Sequence, residues 1–131
     1  MRPAPVVPFA TLREIASTTP GLRMLALHGS RARGDARADS DWDFAFTGEH
    51  GFDADGLLAR LSTALGADRI DLADLDRASG QLRFRVACNG LVIHAEDDDW
   101  DRFCVRAASF WSEAGPVLQM AYEGELRELP R

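Results

Sequence analysis

Asp41 and Asp43 stand two residues apart in the stretch Asp41-Trp42-Asp43-Phe44-Ala45-Phe46-Thr47, where large aromatic side chains alternate with acidic or small ones. A period of two is the pattern of a β-strand, so Trp42, Phe44 and Phe46 are expected to face a core while both carboxylates leave the opposite face. Two carboxylates roughly 6–7 Å apart along a strand repel each other, and a bridging divalent cation relieves that repulsion. All-oxygen ligation favours Mg²⁺ or Mn²⁺ over zinc. Asp71, between Ile70 and Leu72 in another short apolar run, is a third carboxylate whose surroundings ask for a partner. A neighbouring strand would bring it to the same ion.

Upstream, the apolar run Leu22 to Leu27 ends at His28-Gly29-Ser30. A strand that stops in this way turns backbone N–H groups and a hydroxyl towards a polyphosphate, with no Cβ at Gly29 to hold the phosphate off. Arg31, Arg33 and Arg37 follow, a local cationic field suited to an anionic substrate carried on a divalent metal. The combination reads as nucleotide plus metal. Two rival motifs fail. Asp39, Asp41 and Asp43 mimic the start of an EF-hand loop, but Phe44 stands where glycine is needed and His50 where the bidentate glutamate belongs. Gly29 to Gly34 mimics a Walker A loop, yet Asp35-Ala36 replaces the lysine and hydroxyl pair.

The elements that must position these groups are read from periodicity. Leu12, Ile15 and Ala16 give Thr11 to Thr18 a helical spacing that Pro20-Gly21 stops. Leu22 to Leu27 reads as a buried strand, Arg31 to Ser40 as a loop with or without a short helix, and Asp41 to Thr47 as the second strand. Leu57, Leu58, Leu61, Ala64 and Leu65 make Asp53 to Leu65 a helix capped by Gly66. Ile70 to Leu75 and Leu91 to Ala95 are further strands, with a helix over Gln81 to Asn89 between them. A helical stripe from Trp100 through Phe103, Cys104 and Ala107 to Trp111 follows an acidic start at Asp97 to Asp99, and Pro116 is placed to open a last helix. Strands alternating with helices predict an α/β or α+β fold, a small mixed sheet flanked by helices.

At 131 residues and 46% hydrophobic content, residues 1–131 suit a single domain that folds without disulfides or a structural metal. The formal charge of −6 argues against direct nucleic-acid binding or an anionic membrane as the main partner. All 15 cationic side chains are arginine, so Schiff-base chemistry, lysyl-nucleotide intermediates and a lysine-dependent P-loop are excluded. Cys88 and Cys104 are far apart and His28, His50 and His94 are scattered, which spells neither a zinc site nor a redox pair. Pro3, Pro5 and Pro8 interrupt the opening apolar stretch, and nothing approaches the roughly 20 apolar residues that span a bilayer. A soluble cytoplasmic protein is the expectation.

The segments His28-Gly-Ser-Arg-Ala-Arg-Gly34 and Ser40-Asp-Trp-Asp-Phe44, with ten residues between Gly29-Ser30 and Asp41-Trp42-Asp43, resemble the signature of the minimal nucleotidyltransferases, the MNT group of the polymerase-β-like superfamily. Ile70-Asp71-Leu72 is similar to that family's third acidic position. The resemblance implies the polymerase-β-like nucleotidyltransferase fold and an antitoxin that transfers AMP from ATP to a tyrosine of a partner HEPN ribonuclease toxin. It also implies roles: Asp41, Asp43 and Asp71 as catalytic metal ligands, Asp71 assisting deprotonation of the attacking hydroxyl, and Gly29, Ser30 and Arg33 as nucleotide-binding residues. Cofactors on this reading are Mg²⁺ or Mn²⁺, with ATP as substrate. Two departures stand out: His28, where the family is expected to carry an aromatic or apolar residue, and Asp74, which offers Ala73-Asp74-Leu75 as a rival frame for the third acid. Two other functions fit the same residues, an antitoxin that neutralises by binding alone and a nucleotidyltransferase acting on a small hydroxylated acceptor such as an aminoglycoside.

Overall fold

Capping residues visible in the sequence start or stop several of the helices. The structure, a computed structural model, describes residues 6–109. Helix α1 (Phe9–Ser17) buries Leu12, Ile15 and Ala16 on one face. Helix α3 (Ala54–Leu65) starts where the Asp53 carboxylate accepts a hydrogen bond from the Gly56 amide at 3.0 Å, and stops at Gly66, whose φ of 59° is the left-handed closure glycine allows. Helix α4 (Gly80–Asn89) is capped by Ser79, whose hydroxyl accepts from the Leu82 amide at 3.1 Å. A further helix, α5, covers residues 99–109 and buries Phe103 and Ala107. The last helix expected at Pro116 lies outside the described residues.

Four strands form one mixed sheet: β1 (Leu22–His28), β2 (Trp42–Gly48), β3 (Ile70–Asp74) and β4 (Leu91–Ala95), in the order β3-β2-β1-β4. Strand β1 runs antiparallel to both β2 and β4, whereas β2 and β3 are parallel and joined through α3. A parallel pair needs such a crossover, which explains why a helix lies between Phe46 and Ile70. The short polar helix α2 (Gly29–Arg33) sits at the end of β1 and leads into the loop that returns the chain to β2.

Strand alternation divides the core into two layers. On one face Leu25, Leu27, Trp42, Phe44 and Phe46 pack against Leu12, Ile15, Leu57 and Leu61 of α1 and α3. On the other, Met24, Ala26 and Ala45 pack with Leu75, Val86 of α4 and Phe103 of α5. The expected aromatic face of β2 is therefore the larger core. Its opposite face carries a small Ala45 under the second helix layer, and Asp43 lies on that same side, towards the start of the strand. Arg23 on β1 grips the start of α5 through Asp99, with Nε and one Nη donating at 2.8 and 3.0 Å, and this pairing holds the Asp99 carboxyl below the ordinary carboxylate range. No helix among the described residues is long and apolar enough to cross a membrane.

Candidate active site

The site forms where β1 ends and β2 and β3 begin. In the antiparallel register His28 faces Asp43, and in the parallel register Asp71 faces Asp43. Residues opposed across neighbouring strands project to the same face, so Asp43 is flanked by a histidine on one side and a carboxylate on the other. Asp74 is paired three positions further along, opposite Phe46, and its carboxylate accepts from the Asp76 amide at 2.9 Å and lies near Arg77. Register thus separates the two frames for the third acid: Asp71 stands beside Asp43, and Asp74 closes the turn after β3.

Gly29 begins α2 with φ of 73°, and a Cβ built there would run into the Asp43 carboxylate. Only glycine lets the turn approach this carboxylate so closely. The result is a solvent-open cleft of about 500 Å³, with Gly29, Ser30 and Arg33 on one side and Asp41 and Asp43 on the other. Asp39, Ser40 and Arg69 complete its walls. Arg33 is exposed and has its Nε 3.4 Å from Asp35.

Desolvation pushes the Asp43 carboxyl above the ordinary carboxylate range; the field of His28 opposes this, while Asp71 and Asp41 push in the same direction. The buried His28 Nε2 has no hydrogen-bond partner among the described residues. Asp41, exposed at the mouth, lies 4.0 Å from the Arg69 guanidinium.

Of the cleft's carboxylates, Asp39, Asp41 and Asp43, the last two flank Trp42 at alternating positions and could hold a hard divalent cation. Asp71 does not line the cleft but stands one strand away, and among the described residues no three Asp, Glu, His or Cys side chains gather closely enough to hold an ion by themselves. The expected meeting of three aspartates is instead a pair, Asp41 and Asp43, with Asp71 on the neighbouring strand. Such a donor set fits Mg²⁺ or Mn²⁺, which typically take one or two carboxylates and complete their shell with substrate phosphates and water.

Of the three arginines following Ser30, only Arg33 faces the cleft. Arg31 is buried on the Trp42 side of the sheet, and the Arg37 backbone amide donates to Ser40 Oγ at 2.8 Å. Sequence reasoning passed over Asp39, Ser40 and Arg69 as cleft residues. Arg69 is placed by its carbonyl, which accepts from the Trp42 amide at 2.9 Å and brings the residue before β3 alongside Asp41. Its position just ahead of the Ile70-Asp71 strand was the available signal.

A glycine-serine turn facing paired carboxylates across an open cleft is an arrangement suited to an anionic nucleotide carried on a divalent cation. The family model described as Polymerase beta, Nucleotidyltransferase matches residues 10–99, and the chain belongs to that family. It is 33% identical to the protein adenylyltransferase MntA of Aphanizomenon flos-aquae (strain 2012/KM1/D3), with 72% of this chain and 75% of that protein covered. Solved structures share the fold. A toxin-antitoxin crystallised with AMP-PNP superposes with a TM-score of 0.73 at 23% identity, covering 92% of this chain and 99% of the other. A complex of the tri-AMPylated Shewanella oneidensis HEPN toxin with its MNT antitoxin gives 0.61 at 24% identity, covering 89% and 91%.

Proposed function

We propose that this nucleotidyltransferase transfers AMP from ATP to a hydroxyl, a tyrosine, of a partner HEPN ribonuclease toxin and so acts as an antitoxin in the cytoplasm. The observation that carries the reading is the approach of Gly29 to Asp43, which sets the glycine-serine turn directly against a carboxylate pair in one open cleft. The adenylyltransferase activity of the Aphanizomenon relative and the AMPylated toxin bound to the Shewanella antitoxin supply the acceptor class.

On this reading Gly29 and Ser30 hold the triphosphate, Arg33 faces its charge from the same side, and Asp41 and Asp43 hold Mg²⁺ or Mn²⁺. When bound there, such an ion would neutralise phosphate charge and lower the pKa of the attacking hydroxyl. The incoming oxygen bonds to the α-phosphorus as the bond from that phosphorus to the bridging oxygen breaks, and pyrophosphate leaves. On this reading Asp71, paired with Asp43 across the strands, receives the hydroxyl proton. Every step needs position and charge, with no covalent intermediate on the protein.

Incubation with radiolabelled ATP, Mg²⁺ and a co-expressed HEPN protein tests the proposal. Label is expected on the partner, and it is expected to fall at least about 10³-fold in the Asp41→Asn, Asp43→Asn double variant. Transfer undiminished in that variant removes the assignment. Toxin neutralisation that persists without any transfer replaces it with neutralisation by binding.

A further inference from the structure

Arg31 is 9% exposed and is the one buried charged side chain among the described residues. It makes no ion pair there. Its guanidinium donates instead to backbone carbonyls, to Ser40 O at 2.8 Å from Nη2 and 3.3 Å from Nε, and to Ala38 O at 3.3 Å. The same group lies over the Trp42 ring, 4.0 Å from its centre. Ser40 and Trp42 are the two neighbours of Asp41, and Ser30 is the neighbour of Arg31.

Burying a guanidinium without a counter-charge is costly, and an apolar side chain of similar length would fill the same space without that cost. What the apolar residue could not do is bind carbonyls directionally in a rigid fork while stacking on an indole. The fork grips the chain immediately before Asp41 and the stack grips it immediately after. Both grips come from the residue that follows the Gly29-Ser30 turn. From these contacts we infer that Arg31 is a positioning residue that sets the distance between the phosphate-holding turn and the metal-holding Asp41 from the opposite side of the sheet. This inference rests on the role proposed for Asp41.

The test measures binding of Mn²⁺·AMP-PNP to the full chain by isothermal titration calorimetry, with thermal melting of each variant alongside. Arg31→Met, which fills the space without donors, is expected to melt close to the wild type and to bind about 10–100-fold more weakly, the usual range when a group orienting a metal ligand is lost. A purely structural role would lower the melting point and leave affinity below it unchanged. Trp42→Phe keeps the core filled and weakens the stack, and is expected to bind about threefold more weakly; it carries the test if Arg31→Met does not fold. Wild-type affinity in the folded Arg31 variant, or in Trp42→Phe should it alone fold, overturns the inference while loss of binding in Asp41→Asn upholds the site. Wild-type affinity in Asp41→Asn overturns both.

Discussion

A methyl group on Gly29 would occupy the space of the Asp43 carboxylate. The turn and the strand are therefore so close that any Cβ at Gly29 would force the Asp43 carboxylate to shift, and the φ of 73° at Gly29 disfavours other residues a second time. Gly29→Ala is expected to destabilise the protein by about 1–2 kcal/mol from backbone strain alone. Its effect on transfer should be larger, at least about 10²-fold, because the displaced carboxylate is a metal ligand of the proposed mechanism and small misplacements there are severe. Urea unfolding and AMP transfer measured on the same preparation separate the two effects.

Strand register makes Asp71 and Asp74 unequal although only two residues lie between them. Asp71 stands beside Asp43, whereas Asp74 accepts a hydrogen bond from the Asp76 amide in the turn that follows. Asp71→Asn is expected to reduce kcat at least about 10²-fold with little change in stability, as loss of a proton acceptor would. Asp74→Asn should keep kcat within about threefold and lower stability by less than about 1 kcal/mol, the usual worth of one turn hydrogen bond. Initial-rate assays with circular dichroism melts check both; equal losses of rate would overturn the distinction.

The Asp43 carboxyl is raised above its ordinary range, first by desolvation and further by Asp71 and Asp41 against the opposing field of His28. The sign follows from linkage. A carboxyl raised in the folded state contributes stability in its protonated form, fully present below its unfolded pKa and lost as pH rises through the folded value. Ionised Asp43 therefore weighs against folding near neutrality when no metal is present. Asp43→Asn, which cannot ionise, is expected to melt above the wild type at pH 7 in a chelator, with the gap closing as pH falls below the ordinary carboxylate range. Mg²⁺ with a non-hydrolysable ATP analogue should then raise the wild-type melting point and leave that of Asp43→Asn unmoved. Melting curves across pH, with and without these ligands, measure this directly, and a gap that widens towards acid would contradict it.

Much of the scaffold was legible because its signals are local. The alternation through Trp42, Phe44 and Phe46 requires a strand with one buried face, and the structure packs those rings against α1 and α3. Asp53 and Gly66 bracket α3 because a carboxylate cap and a left-handed glycine act within one turn of their own residue. Helix α2 was less legible: five polar residues have no apolar stripe, and its placement depends on the contact of Gly29 with Asp43.

The candidate site divides in the same way. Sequence alone grouped Gly29, Ser30, Asp41 and Asp43, because alternation sends two carboxylates two residues apart to a common face and a strand ending in glycine-serine offers backbone amides to an anion, and the four line one cleft. Tertiary structure decided what depends on pairing between distant segments. It set Asp71 rather than Asp74 beside Asp43, brought Arg69 to Asp41, and sent Arg31 and Arg33 to opposite sides of the sheet although the same residue type stands at both positions. Residue type specifies what chemistry a side chain offers; strand register and the packing of Trp42 determine which neighbour receives it.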